Sequence, residues 1–156
     1  MLTFEFGEPT LSIRDPVVSP SPSPKVREIM GRRRVSPVGE WYLWIYLCNW
    51  SCLSRGRQIA SSEASAAAID QVARVLDGQR LMSIEVDPDR GSSTFTFDLG
   101  GRLETQPYLE GNDEQWSLSR RDGACFSYRK DGYYCLSDVN TLPDEERWLA
   151  WPVVGR

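Results

Sequence analysis

From residue 81 onward, apolar and polar residues alternate with a period of two, the spacing of a strand with one buried face. LMSIEV (81–86), STFTFDL (93–99), RLETQPY (102–108), QWSLSRR (115–121), ACFSYRK (124–130) and YYCLSD (133–138) all follow it. The joints carry turn chemistry: Gly100-Gly101, Asp122-Gly123 and Asp131-Gly132. Asp-Gly between alternating segments is a strong short-range hairpin signal, so the last three segments predict a meander. At Gly100-Gly101 a two-residue loop would set Phe97 opposite Glu104. A three-residue loop with a glycine bulge would set Phe97 opposite Leu103, and the bulged form is expected. With Lys130 opposite Tyr133, Cys135 would face Tyr128 and Cys125 would lie on the other sheet face.

Elsewhere the period changes. SSEASAAAIDQVARVLDG (61–78) places Ile69, Val72, Ala73 and Leu76 on one side at helical spacing. Ser61 or Ser62 can cap that helix and Gly78 can close it. LTFEF (2–6) and TLSIRD (10–15) alternate about GEP and read as an N-terminal hairpin. The Ser-Pro repeats of 19–24 remove backbone donors and favour extended chain, with a turn of helix expected at 25–31. LPDEERWLAW (142–151), with Pro143 at a helix start and acids in the first turn, predicts a short C-terminal helix that Trp148 and Trp151 would pack on the body. The expected class is α+β: a curved, mostly antiparallel sheet of six to eight strands, one main helix on it, and a short helix at the end. Residues 1–39 form a hairpin and Pro/Ser-rich linker, and 40–156 a single α+β domain.

WYLWIYLCNWSCLS (41–54) packs three tryptophans, two tyrosines and two cysteines into one run. As one straight strand it sets Trp41, Leu43, Ile45 and Leu47 on one face. Tyr42, Trp44, Tyr46, Cys48 and Trp50 fall on the other. Both faces then need cover. The helix at 62–77 is expected over one, and the tyrosine side is either core or a surface that another molecule covers. Tyr42, Trp44, Tyr46, Trp50 and Trp116 are accordingly the candidate binding residues.

Composition narrows the chemistry. The 156 residues carry a formal charge of −4, so the whole chain has no electrostatic pull toward nucleic acid. Arg32, Arg33 and Arg34, the one basic cluster, lack interleaved aromatics and read as a solvated loop. No apolar run reaches the roughly 18 residues of a membrane span, and the N-terminus lacks a secretory pattern. Four cysteines without an export signal suggest reduced thiols in a cytoplasmic protein.

Histidine is absent, which removes Ser-His and Cys-His nucleophiles and every His-containing metal site. On a straight strand Cys48 and Cys52 would stand about 13 Å apart, too far for one metal ion or one disulfide. VDPDRGSS (86–93) starts like a calcium loop, but its glycine comes one position early and no glutamate closes it. No carboxylate pair stands out as catalytic. The chain therefore reads as non-enzymatic, with no metal and no cofactor.

EWYLWIYLCNW, GRQIASSEAS, LDGQRLMSIEV, STFTFDLGGRLETQPY and EQWSLSRRDG succeed one another over residues 40 to 130. In this order the chain resembles small, uncharacterised bacterial α+β domain families. They share a W-x-L-x-I strand, an F-x-F-x-x-G-G-x-L hairpin and a W-x-L strand near the end. Some of these families are thought to be immunity proteins of polymorphic toxin systems. The resemblance implies a non-enzymatic binding protein whose partner is another protein, with homodimerisation compatible. The alternative is a small-molecule-binding module in which Tyr42, Trp44, Tyr46 and Trp116 line an apolar cavity.

Overall fold

The structure is a computed structural model and describes residues 1–108 and 113–152. It is mostly β, with thirteen strands, two short helices and three sheets among the described residues. This overturns the expected α+β class, because no main helix lies on a single curved sheet. The reason lies largely in WYLWIYLCNWSCLS, which is two strands and not one.

β4 (Trp41–Ile45) and β5 (Cys48–Ser54) belong to different sheets. Between them the backbone folds tightly, with the Cys48 amide donating to the Tyr46 carbonyl at 2.8 Å. This three-residue turn resets the phase of the alternation. Leu43 and Ile45 are buried before it, and Cys48, Trp50 and Cys52 are buried after it. A straight strand would have put these two sets on opposite faces. The turn sends both into one core, leaving Tyr42, Trp44 and Leu47 outside.

The six-stranded sheet has the order β1 (Leu2–Phe6), β4, β10 (Glu114–Arg120), β11 (Ala124–Arg129), β12 (Tyr133–Asp138), β13 (Trp148–Ala150). The five-stranded sheet runs β6 (Arg57–Ser61), β5, β9 (Gly101–Pro107), β8 (Ser92–Phe97), β7 (Leu81–Asp87). All pairings are antiparallel. The inner faces meet around Trp116, whose ring lies 5.3 Å from Phe95 and 5.6 Å from Tyr128. Its indole N–H donates to Ser93 Oγ at 2.9 Å, which ties the two sheets by a buried polar bond. Such ring pairs add about 0.5–1.5 kcal/mol each beyond burial.

Three of the glycine-containing hairpins share one geometry. In each a three-residue loop ends on a positive-φ glycine: Gly100, Gly123 and Gly132. A three-residue loop is present as foreseen, but it spans 98–100 and the register differs: Leu103 pairs with Phe95, not with Phe97. The Asp131-Gly132 loop likewise shifts its hairpin. Cys135 pairs with Ser127 and Tyr128 with Tyr134, so Cys125 and Cys135 share a face as diagonal neighbours. β5 and β6 join through Gly56 (φ 78) and Arg55 (φ 50), and Arg55 is the one non-glycine at positive φ among the described residues.

α2 spans Ala66–Leu76, starting later than the sequence suggests, with Ser65 as the capping residue. Ser65 Oγ accepts from the Ala68 amide, and Val72 and Leu76 are buried. The helix packs beside β6, and its last turn reaches β9, where Leu76 lies close against Gly101. On its other side Ala73 and Leu76 border a cleft with Phe4 and Phe6 of β1. It closes the flank between the sheets' edges instead of covering a sheet face.

Both chain-terminal expectations change. β1 does not form a hairpin with β2 (Thr10–Arg14); β1 pairs with β4, and β2 pairs with β3 (Arg34–Val38). The two long strands therefore run side by side through the body and out into a two-stranded arm. Its tip carries α1 (Pro24–Met30), close to the helical turn expected at 25–31. At the other end, LPDEERWLAW forms a turn and then strand β13, not a helix. Alternation in Trp-Leu-Ala lets this segment pair with β12, and ladder bonds there replace the helical ones. Trp151 packs at 5.5 Å from Tyr134 and 6.0 Å from Tyr128.

Candidate functional site

The two ends of the sandwich are built differently. At one end the β7–β8 turn meets the β11–β12 turn. A Cβ on Gly91 would stand 2.0 Å from the Lys130 carbonyl oxygen, and one on Gly132 3.0 Å from Pro88. Gln115, the extra residue at a bulge in β10, is fully buried and donates from Nε2 to the Gly91 carbonyl at 2.7 Å. That end is shut by backbone.

At the other end the six-stranded sheet extends past its partner. Its inner face there carries Trp41, Leu118, Phe126 and Leu136, which border an apolar cleft of about 420 Å3. No residue of the five-stranded sheet lines it, and Leu136 is 69% exposed. Trp41 and Leu118 also line a neighbouring cleft of about 520 Å3. Phe6, Leu81 and Arg80 bound that one, so the two form a continuous groove across the open end. Arg120 stacks over Trp41 at 5.7 Å and pairs with Asp122, giving the groove a polar rim.

Of the five candidate residues, three lie outside this core. Tyr42 and Trp44 are 40% and 39% exposed on the outer face of the six-stranded sheet. Tyr46, half-buried at the turn, stacks on Trp44 at 4.4 Å. Burial and a hydrogen bond with Glu114 push its phenol well above the usual tyrosine range. Trp50 and Trp116 are core residues. Trp116 pairs with Ile45 and faces inward, on the side opposite Tyr42 and Trp44. Tyr42, Trp44, Tyr46 and Trp116 therefore do not line one cavity.

The groove residues were not among the candidates. Their signal was present: Tyr134 and Leu136 alternate with Cys135, and Leu118 follows Trp116 by two, so each set shares a face. What the alternation lacks is any mark that the opposing sheet ends short of them.

Cys48, Cys52 and Cys125 show no sign of nucleophilic activation. Burial pushes Cys48 up to about 12 and Cys52 up to about 11, and raises Cys125 as well. All four thiols are free. Protonated thiols are poor nucleophiles and poor metal ligands. Among the described residues, no three His, Cys, Asp or Glu side chains converge as a metal site would require. Nor is any helix among them long and apolar enough to cross a membrane.

Compared with known proteins, the chain matches no family model, no curated protein and no solved structure.

Proposed function

We propose that this protein is a non-enzymatic binding module that seats a polypeptide segment of another molecule at the open end of its sandwich. The observation that carries the reading is the apolar strip in which Leu136 stands exposed beside half-buried Trp41, Leu118 and Phe126. A contiguous apolar patch left open at the end of a soluble domain often marks a binding surface. The groove is long and open along Leu136, which suits a strand or loop better than an enclosed small molecule. Aromatic anchors with a charged rim, here Trp41 beneath Arg120, are the usual makeup of a protein-binding centre.

Charge supports a basic partner. An acidic chain meets a positively charged segment faster and holds it in register better than a neutral one would. In its concrete form this is an immunity-protein-like role, in which an acidic domain holds a basic protein. The raised thiols and the absence of histidine support the non-enzymatic part.

A photo-crosslinking side chain placed at Leu136 tests this in the cell of origin, with the same probe at Arg90 on the closed end as control. A discrete protein adduct from position 136, missing from position 90, is expected. Adducts that are absent, or identical from both positions, would overturn the reading.

A further inference from the structure

The arm formed by β2, α1 and β3 has no cover of its own. Cross-strand pairing sets Leu11 against Pro37 and Ile13 against Val35, which gathers four apolar side chains on one face of the ribbon. Leu11 is 64% exposed, and Ile13 and Val35 are each at least half exposed. Apart from each other, β2 and β3 make little contact with any element. A lone two-stranded ribbon is marginal in water, so this one needs a surface to lie on.

Its charge says what that surface should be. Residues 10–38 carry six basic side chains and two acidic ones, a net +4, within a chain of net −4. The rest of the molecule is therefore at −8. Arg14 and Arg34 sit directly opposite each other across the ribbon, an arrangement that is unfavourable without acids nearby. Two arms of +4 would repel each other, whereas an arm and a body attract.

The direction of the arm agrees. Ser12 and Val38, on the ribbon's other face, line a small cleft with Glu5, Tyr42 and Ser119 on the outer surface of the six-stranded sheet. The apolar face is turned away from that surface. Arm and groove also start from the same place, since Phe6 and Trp41 are the last body pair before the arm departs.

We infer that the groove takes the arm of a second copy of this chain, so that two molecules exchange arms about a two-fold axis. Leu11, Ile13, Val35 and Pro37 of one copy then cover Trp41, Leu118, Phe126 and Leu136 of the other. The cationic tip lies along the acidic body. Reciprocal exchange is a closed, self-complementary arrangement and ends at the dimer. The inference rests on the reading that the groove seats a polypeptide, and it names which one.

Sedimentation of the full chain tests it with two variants, Ile13→Asp on the arm and Leu136→Asp in the groove. Both sites are exposed, so each variant should keep the near-UV circular dichroism of the buried Trp116 cluster. The wild type is expected to be a dimer that weakens as salt rises. Each variant should raise the dimer dissociation constant by on the order of thirtyfold or more. An equimolar mixture of the two should regain a dimer, because one intact arm then meets one intact groove. A monomeric wild type, a Leu136→Asp dimer of unchanged strength, or a mixture no better than its parts would each overturn arm exchange. Should the wild type be monomeric while the probe at position 136 still captures a different protein, only the exchange is lost. If that probe captures nothing either, the groove reading is lost with it.

Discussion

The closed and open ends of this sandwich use the same kind of hairpin for opposite purposes. At the closed end two turns interlock so tightly that Gly91 leaves no room for a Cβ, and a buried glutamine bonds the turn backbone. At the open end the Asp122-Gly123 loop packs against nothing from the other sheet, and the strands leading to it expose Leu136. The Asp122 carboxylate there is occupied locally, accepting from Arg120 and from the Ala124 amide. A turn's sequence specifies its own geometry. Whether it serves as a lock or a lip depends on what the other sheet brings to it.

The difference can be broken hardest at the centre, where both ends lean on Trp116. Trp116→Ala removes the ring that stacks on Tyr128 and Phe126 and meets Phe95 edge-on, and should cost about 3–5 kcal/mol in denaturant unfolding. Gly91→Ala comes next, at about 2–4 kcal/mol, because strain at φ 64 adds to the collision with Lys130 backbone. Equilibrium unfolding should show this loss for Gly91→Ala, while Gly56→Ala, with nothing within 4 Å, should lose clearly less.

Alkaline pH should act on the core more gently. Cys48 and Cys52 titrate near 9.0 in the unfolded chain and at about 12 and about 11 when folded. Their contribution is therefore complete below pH 9 and is lost as pH rises through the folded values. Urea midpoints measured from neutral to strongly alkaline pH should fall over that window, and Cys48→Ala should flatten part of the slope. The smallest effect belongs to the open end: Leu136→Ser should change stability by no more than about 0.5 kcal/mol. A melt that shifted strongly for this variant, at protein concentrations low enough for the chain to be monomeric, would show that Leu136 is core, and the contrast between the ends would fail.

Much of the fold was legible in the sequence, and the misses have identifiable causes. The meander of β10, β11 and β12 follows from two Asp-Gly pairs between alternating segments, and it is present. The helix followed from Ile69, Val72 and Leu76 at helical spacing, though Ser65 won the capping position from Ser61 and Ser62. Register was less accessible. A positive-φ glycine closing a three-residue loop moved Leu103 from Phe97 to Phe95 and brought Cys135 onto the face of Cys125. Trp148-Leu149-Ala150 alternates as well as it spirals, and an available β12 edge decided for the strand.

The candidate site was legible only by halves. Tyr42 and Trp44 were expected on a face apart from Leu43 and Ile45, and they stand there, exposed. Trp50 was expected beside them and lies in the core. The turn at Tyr46 and Leu47 has no glycine, proline or Asx residue to announce it. It forms because seven aromatic and apolar positions in succession, 41–47, cannot all be buried by one straight strand. Bending the chain lets two sheets share them.

What the sequence determined by itself was local: the strands from 81 to 138 and the helix before them, the glycine turns that join the meander, and that the chain holds no histidine chemistry. These depend on residues a few positions apart, through dihedral preference and the period of the side chains. Tertiary structure alone decided which strands became neighbours, that β4 and β5 part into two sheets, and that one sheet outruns the other. Those outcomes depend on how far each sheet extends and on what is left to bury, quantities that no short window of sequence contains. The groove at Trp41 and Leu136 exists for that reason, as does the arm beside it.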